Sequence, residues 1–186
     1  WADHWAFLPP ERSPPPPVAA KDWPINWIDN FVLSRLEGEQ VSPSPPADRR
    51  TLLRRLSFDI IGLPPTHDDL NYFLADTSEA TYEATVDRLL ASQHFGERMA
   101  MYWLDLVRYA DSVGYHGDQP VSVTPYRDYV IEAFNSNMSF DRFTREQLGG
   151  DLLPDASRDQ LVASGYNRLG MMSAEGGVQP KEYLTK

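Results

Sequence analysis

Apolar positions recur at spacings of three and four along most of the chain, and no segment alternates with period two between turn signals. Ile25, Ile28, Val32 and Leu36 predict a first helical face, with Gly38 as its stop. DRRTLLRRLSFDIIGLPP aligns Leu52, Leu53, Leu56 and Ile60 and sets Arg55 one turn from Asp59, close enough to pair. Gly62 suits the left-handed residue after that helix, and Pro64 and Pro65 bar its resumption. Thr66 is placed to cap HDDLNYFLA, whose early aspartates favour the positive end of the helix dipole. In SEATYEATVDRLLAS the inward residues are Tyr82, Val86, Leu89 and Leu90. A longer helix over 97–110 carries Met99, Trp103, Leu106 and Ala110 on its apolar face, with Tyr102 beside it. Thr124 with Pro125 starts the next helix, Ser139 caps FDRFTREQLGG, and Ser157 with Gln160 forms a capping box. These elements predict an all-α protein, an irregular multi-helix bundle with an extended Pro-rich N-terminal arm.

Three regions follow. Residues 1–24 hold PPERSPPPP, whose prolines remove amide donors and favour extended geometry. Trp1, Trp5, Phe7 and Trp23 predict that this arm packs on the domain with its rings in grooves, the alternative being a flexible linker. Residues 25–169 form the helical domain. Residues 170–186 lose periodicity and end without a capping signal, which reads as a segment leading into a missing downstream part.

Composition narrows the function. The chain has 186 residues, 41% of them hydrophobic, enough for a sizeable core. A net charge of −10, with basic residues interleaved with acids, argues against nucleic acid as a partner. With no cysteine, the chain offers no disulfide, thiolate nucleophile, Cys-ligated zinc or covalent haem attachment. No apolar run reaches the roughly 20 residues of a membrane span. The N-terminus lacks the look of a signal peptide, so the chain reads as cytoplasmic or as a mature or excised piece.

Candidate chemistry is scattered. Arg98, Asp105, Arg108 and Ser112 line a polar stripe on the helix over 97–110, with Asp111 one turn beyond Arg108. The stripe reads as an ion-pair network at a site or as one holding helices in register. Tyr126 and Arg127 in YRDY, and Glu146 and Asp151 in REQLGGD, extend this possible polar network. The Gly-Gly there would admit a ligand close to the backbone, or simply ends a helix. Asp111 and Glu146 could pair as hydrolytic carboxylates across a cleft. His4, His67, His94 and His116 show no metal-ligand spacing, and only His116 sits between glycines and carboxylates in DSVGYHGDQP. Met171 and Met172 could offer a thioether to haem iron or serve as adaptable packing. The aromatic residues could form stacking platforms for sugars.

HWAFLPP, DRRTLLRRLSFDIIGLPPT, VDRLLASQHFGERMAMYWLDLVRYADSVGY, YRDYVIEAFN, FDRFTREQLGGDLLP and ASGYNRL occur in that order. Together they resemble the domain of unknown function that accompanies planctomycete-type cytochrome c domains, over nearly the whole chain. The resemblance implies an exported, multidomain protein in a periplasmic or other extracytoplasmic location, often linked to polysaccharide processing. It also implies a Cys-x-x-Cys-His motif downstream, and hence haem c in the full-length protein. On that reading this chain forms part of a haem pocket for redox or electron transfer, with His116, Met171 and Met172 in the haem vicinity. Its partner is the C-terminal part of the same protein, with polysaccharide a possible second. The other reading is a non-catalytic carbohydrate-binding or structural interaction module.

Overall fold

A computed structural model describes residues 4–113 and 118–170 of the chain. The chain forms two compact units, divided between Ala47 and Asp48. Its described part is helical, with eight α-helices and no strand among the described residues.

The first unit contains a 3-10 turn at Trp5–Phe7 and helix α1, Trp27–Gly38. Asn26 and Asp29 close a reciprocal capping box at the start of α1. Polar groups fasten the arm to this helix. The amides of Ala19 and Ala20 donate to the Glu37 carboxylate at 3.0–3.2 Å, and Asn30 donates to the Pro16 carbonyl at 3.4 Å. Phe7 and Trp23 are exposed; Trp1 lies outside the described residues. The inward face of α1 also differs from the sequence pattern. Leu33 is buried, whereas Ile25, Ile28 and Val32 are exposed. The face bearing Asn30 and Glu37 takes the arm. Gly38 is the last residue of the helix, as expected. Two residues further on Gln40 adopts φ 57° and the Val41 amide reaches back to Leu36, so the left-handed residue of the termination is not the glycine.

The second unit begins with α2 (Arg49–Ile60), α3 (His67–Ala75) and α4 (Glu79–Leu90). Leu53, Phe73 and Leu89 are buried here, together with Thr81 and Thr85. The two threonines, and not Leu90, continue the inward stripe of α4. Thr85 satisfies its hydroxyl on the Thr81 carbonyl and Thr81 on Asp76, so neither buries an unpaired group. Thr81, then the Ser78 amide and hydroxyl, hold the Asp76 carboxyl at about 2. Thr66 caps α3 as the sequence predicts, in a box with Asp69, and Gly62 takes φ 71°. Arg55 and Asp59 form no ion pair among the described residues; both are exposed. The stronger fastening is Arg49, whose guanidinium donates to the carbonyls of Phe73 (2.8 Å) and Asp76 (2.7 Å) while lying 3.9 Å from the Phe73 ring centroid. One cation thereby closes the carboxy-terminal end of α3.

Helices α5 (Gln93–Leu106), α6 (Thr124–Asn135), α7 (Phe140–Gly149) and α8 (Arg158–Ala163) complete the unit, with 3-10 turns at Gly150–Leu152 and Ser164–Arg168. The α5–α6 crossing is close because Gly96 and Ala100 face α6. A Cβ on Gly96 would overlap the Ile131 carbonyl and lie 2.6 Å from Asn135 Oδ1. Asn135 fills that contact by accepting the Gly96 amide at 2.7 Å and donating to the Gln93 carbonyl. The helix expected over 97–110 stops at Leu106: Arg108 takes φ 60°, and the Tyr109 amide bonds to the Leu104 carbonyl at 2.9 Å. Leu106 is exposed, and Ala110 lies beyond the helix. Thr124 is the first residue of α6, after Val123, and Ser139 precedes α7 without a side-chain cap bond. The capping box of Ser157 and Gln160 is present. The core joining these helices contains Ala100, Tyr126, Tyr129, Val130, Phe143 and Ala163.

Candidate functional site

Two features of the second unit concentrate side-chain chemistry: a buried polar layer under α6 and α7, and an aromatic cleft beside it.

The layer begins with sequence spacing. Tyr126 and Tyr129 lie one turn apart on α6, and Glu146 and Gln147 are adjacent on α7, so each tyrosine meets one α7 partner. Tyr126 donates to Gln147 Oε1, which also accepts Trp103 Nε1 at 3.0 Å; the Gln147 amide donates to the Phe143 carbonyl at 3.1 Å. Tyr129 donates to Glu146 Oε2 at 2.9 Å, while Glu146 Oε1 accepts Arg142 Nε at 2.9 Å and Gln160 Nε2 at 3.1 Å. Gln160 also closes the α8 capping box through its carbonyl oxygen, tying that cap to the buried carboxylate.

Glu146 is only 2% exposed. Burial pushes its carboxyl up, but bonds from Arg142, Gln160 and Tyr129, with the Arg142 charge, outweigh this and hold it below its ordinary 4.5. Burial raises Tyr126 to about 12, against the hydrogen bond from Trp103. Tyr129 is raised by burial first, then by its bond to the Glu146 carboxylate. The glutamate is therefore ionised and the phenols protonated at neutral pH, and their hydrogen-bonding capacity is used within the protein. Such a layer holds helices in register and has no free acid or base to give a substrate.

The sequence-predicted residues separate accordingly. Tyr126 and Glu146 join this layer. Asp111 accepts Tyr109 at 2.8 Å on the surface, where its charge also acts on Arg127, itself paired with Asp128 at 3.0 Å. Asp105, Arg108 and Asp151 are exposed and make no side-chain hydrogen bond or ion pair among the described residues. Arg98 stacks over Tyr102, with a buried Nε lacking a partner. With α5 ending at Leu106, Asp111 no longer extends the stripe. Glu146 is enclosed, so it cannot oppose Asp111 across a cleft. The glycine pair also has an internal explanation: a Cβ on Gly150 would overlap the Gln160 carbonyl, so the close approach is by α8. Sequence reasoning missed Gln147, Arg142 and Arg49; the Arg142–Glu146 spacing of four was the available signal.

Ser112 and Pro120 bridge, with Val113 donating to Gln119 and Val121 to Asp111. His116, Met171 and Met172 lie outside the described residues. His4 accepts the Ala6 amide, His67 is exposed at the first turn of α3, and His94 contacts Glu97 at 2.6 Å.

The cleft is lined chiefly by Phe95, Trp103, Phe134, Met138, Phe140 and Phe143, and measures about 280 Å³. Haem does not fit these residues. No group of three or more metal-ligating side chains occurs among the described residues, and the cleft is below the usual range of cofactor sites. No helix among the described residues is long and apolar enough to cross a membrane.

No curated protein and no solved structure matches the chain. Residues 27–186 match PSCyt2, described as "Protein of unknown function (DUF1549)", and the chain belongs to that family.

Proposed function

We propose that this chain is a non-catalytic, haem-free helical module of an exported, cytochrome-associated multidomain protein, and that any haem of that protein is held by other polypeptide. The observation that carries this reading is the internal engagement of the buried Glu146 carboxylate, which is neutralised by Arg142 and bonded by Tyr129 and Gln160. A group so engaged positions helices and does not turn over substrate. The family name and the ordered sequence blocks support the cytochrome association. Without cysteine the chain has no means of thioether haem attachment.

Absorption spectroscopy tests the reading. The chain produced with c-type haem maturation, and then mixed with ferric haem, is expected to show no protein-bound Soret band. The complete natural gene product, matured in the same cells, is expected to show one. A stoichiometric Soret band from the chain itself, or none from the complete protein, would overturn it.

A further inference from the structure

We propose that the cleft between α5, α6 and α7 is a binding site for one neutral aromatic ring. Its size is the first reason. An apolar cavity of about 150 Å³ accepts benzene, and this one, at about 280 Å³, has room for a substituted ring. The walls are the second. Phe143 lies 5.0 Å from Trp103 at 64°, Phe140 lies 6.4 Å from it at 83°, and Phe134 lies 6.0 Å from Phe143 at 53°. These tilted rings offer both edges and faces, the surfaces against which another aromatic ring packs best. The Met138 thioether adds a polarisable contact.

Polarity sets the ligand class. No Asp, Glu, Lys, Arg or His lines the cleft, so an ionised ligand would lose hydration without a counter-charge. The indole N–H of Trp103 is already bonded to Gln147 and Tyr126. A sugar would leave its hydroxyls unpaired inside. The exposed Asn137 amide is the polar group of the lining able to meet a ring substituent, which selects a phenol-like or alkyl-substituted benzene.

Titration of the full chain, carrying methionine labelled with carbon-13 in its methyl groups, tests the site by NMR. Para-cresol and toluene are expected to shift the Met138 methyl saturably by ring current, with benzoate and glucose leaving it in place. Phe140 is 71% exposed, so its replacement should spare the fold, with circular dichroism as the check. Phe140→Ala is expected to weaken para-cresol binding about two- to tenfold, and Phe140→Glu to abolish it. N-acetyl-tyrosinamide identifies the source: affinity equal to para-cresol places the natural ring on a polypeptide, whereas binding by free para-cresol alone places it on a small molecule. Absence of a saturable Met138 shift, equal shifts at all methionines, or undiminished binding by Phe140→Glu would overturn the proposal. Haem content is measured separately, so the two proposals can fail independently.

Discussion

The two halves of the second unit solve the same packing problem with different materials. Helices α2 to α4 bury three large apolar side chains, Leu53, Phe73 and Leu89, and are fastened from outside by Arg49, Asp76 and the capping residues. Helices α5 to α8 share a larger aromatic core fastened from inside, with Glu146 and Gln147 as its acceptors. An external fastening stays partly hydrated when cut, so its loss is partly repaired by water. An internal fastening leaves buried donors with nothing to bond. Damage should therefore cost more in the second half than in the first.

The largest test is the helix crossing. Gly96→Val must force α5 from α6 and displace Asn135, and is expected to cost about 3 kcal/mol or more, read by urea denaturation. Next, Glu146→Ala removes the acceptor for Tyr129 and Gln160 and is expected to cost about 2–3 kcal/mol. The stability that Glu146 confers should be complete above pH 4.5 and disappear as the pH falls through its depressed folded value, so Glu146→Gln should flatten that limb of the stability profile. Cutting the external fastening, Arg49→Ala, is expected to cost about 1 kcal/mol, with Arg49→Lys restoring only part because an ammonium cannot reproduce the guanidinium fork. Equal losses for Arg49→Ala and Glu146→Ala would erase the contrast. The smallest effect has the opposite sign: Arg108→Gly relieves a left-handed backbone and should gain about 0.5–1 kcal/mol in the same assay.

The same contrast explains what was legible in the sequence. Caps and stops are local chemistry, and Thr66, Gly62 and the Ser157–Gln160 pair stand where their spacing placed them. Left-handed terminations at Gln40 and Arg108 were hidden because neither residue is glycine. Facing was harder to read than helicity. α1 leaves Ile28 and Val32 exposed, and α4 buries threonines whose hydroxyls bond within the chain. At the candidate site, Tyr126 and Glu146 drew notice as polar residues, but their use depends on partners 21 and 17 positions away. Periodicity within one helix carries no such information. The aromatic cleft was invisible for the same reason: its rings come from three helices.

The central claim is that the buried polar layer is structural and lacks a proton-active group. Carbon-13 NMR titration of the Glu146 side-chain carboxyl in the intact chain tests it most directly. A midpoint below 4.5, with no change between pH 6 and 8, is the predicted result, whereas a midpoint raised towards neutrality would reveal a working acid or base and contradict the account.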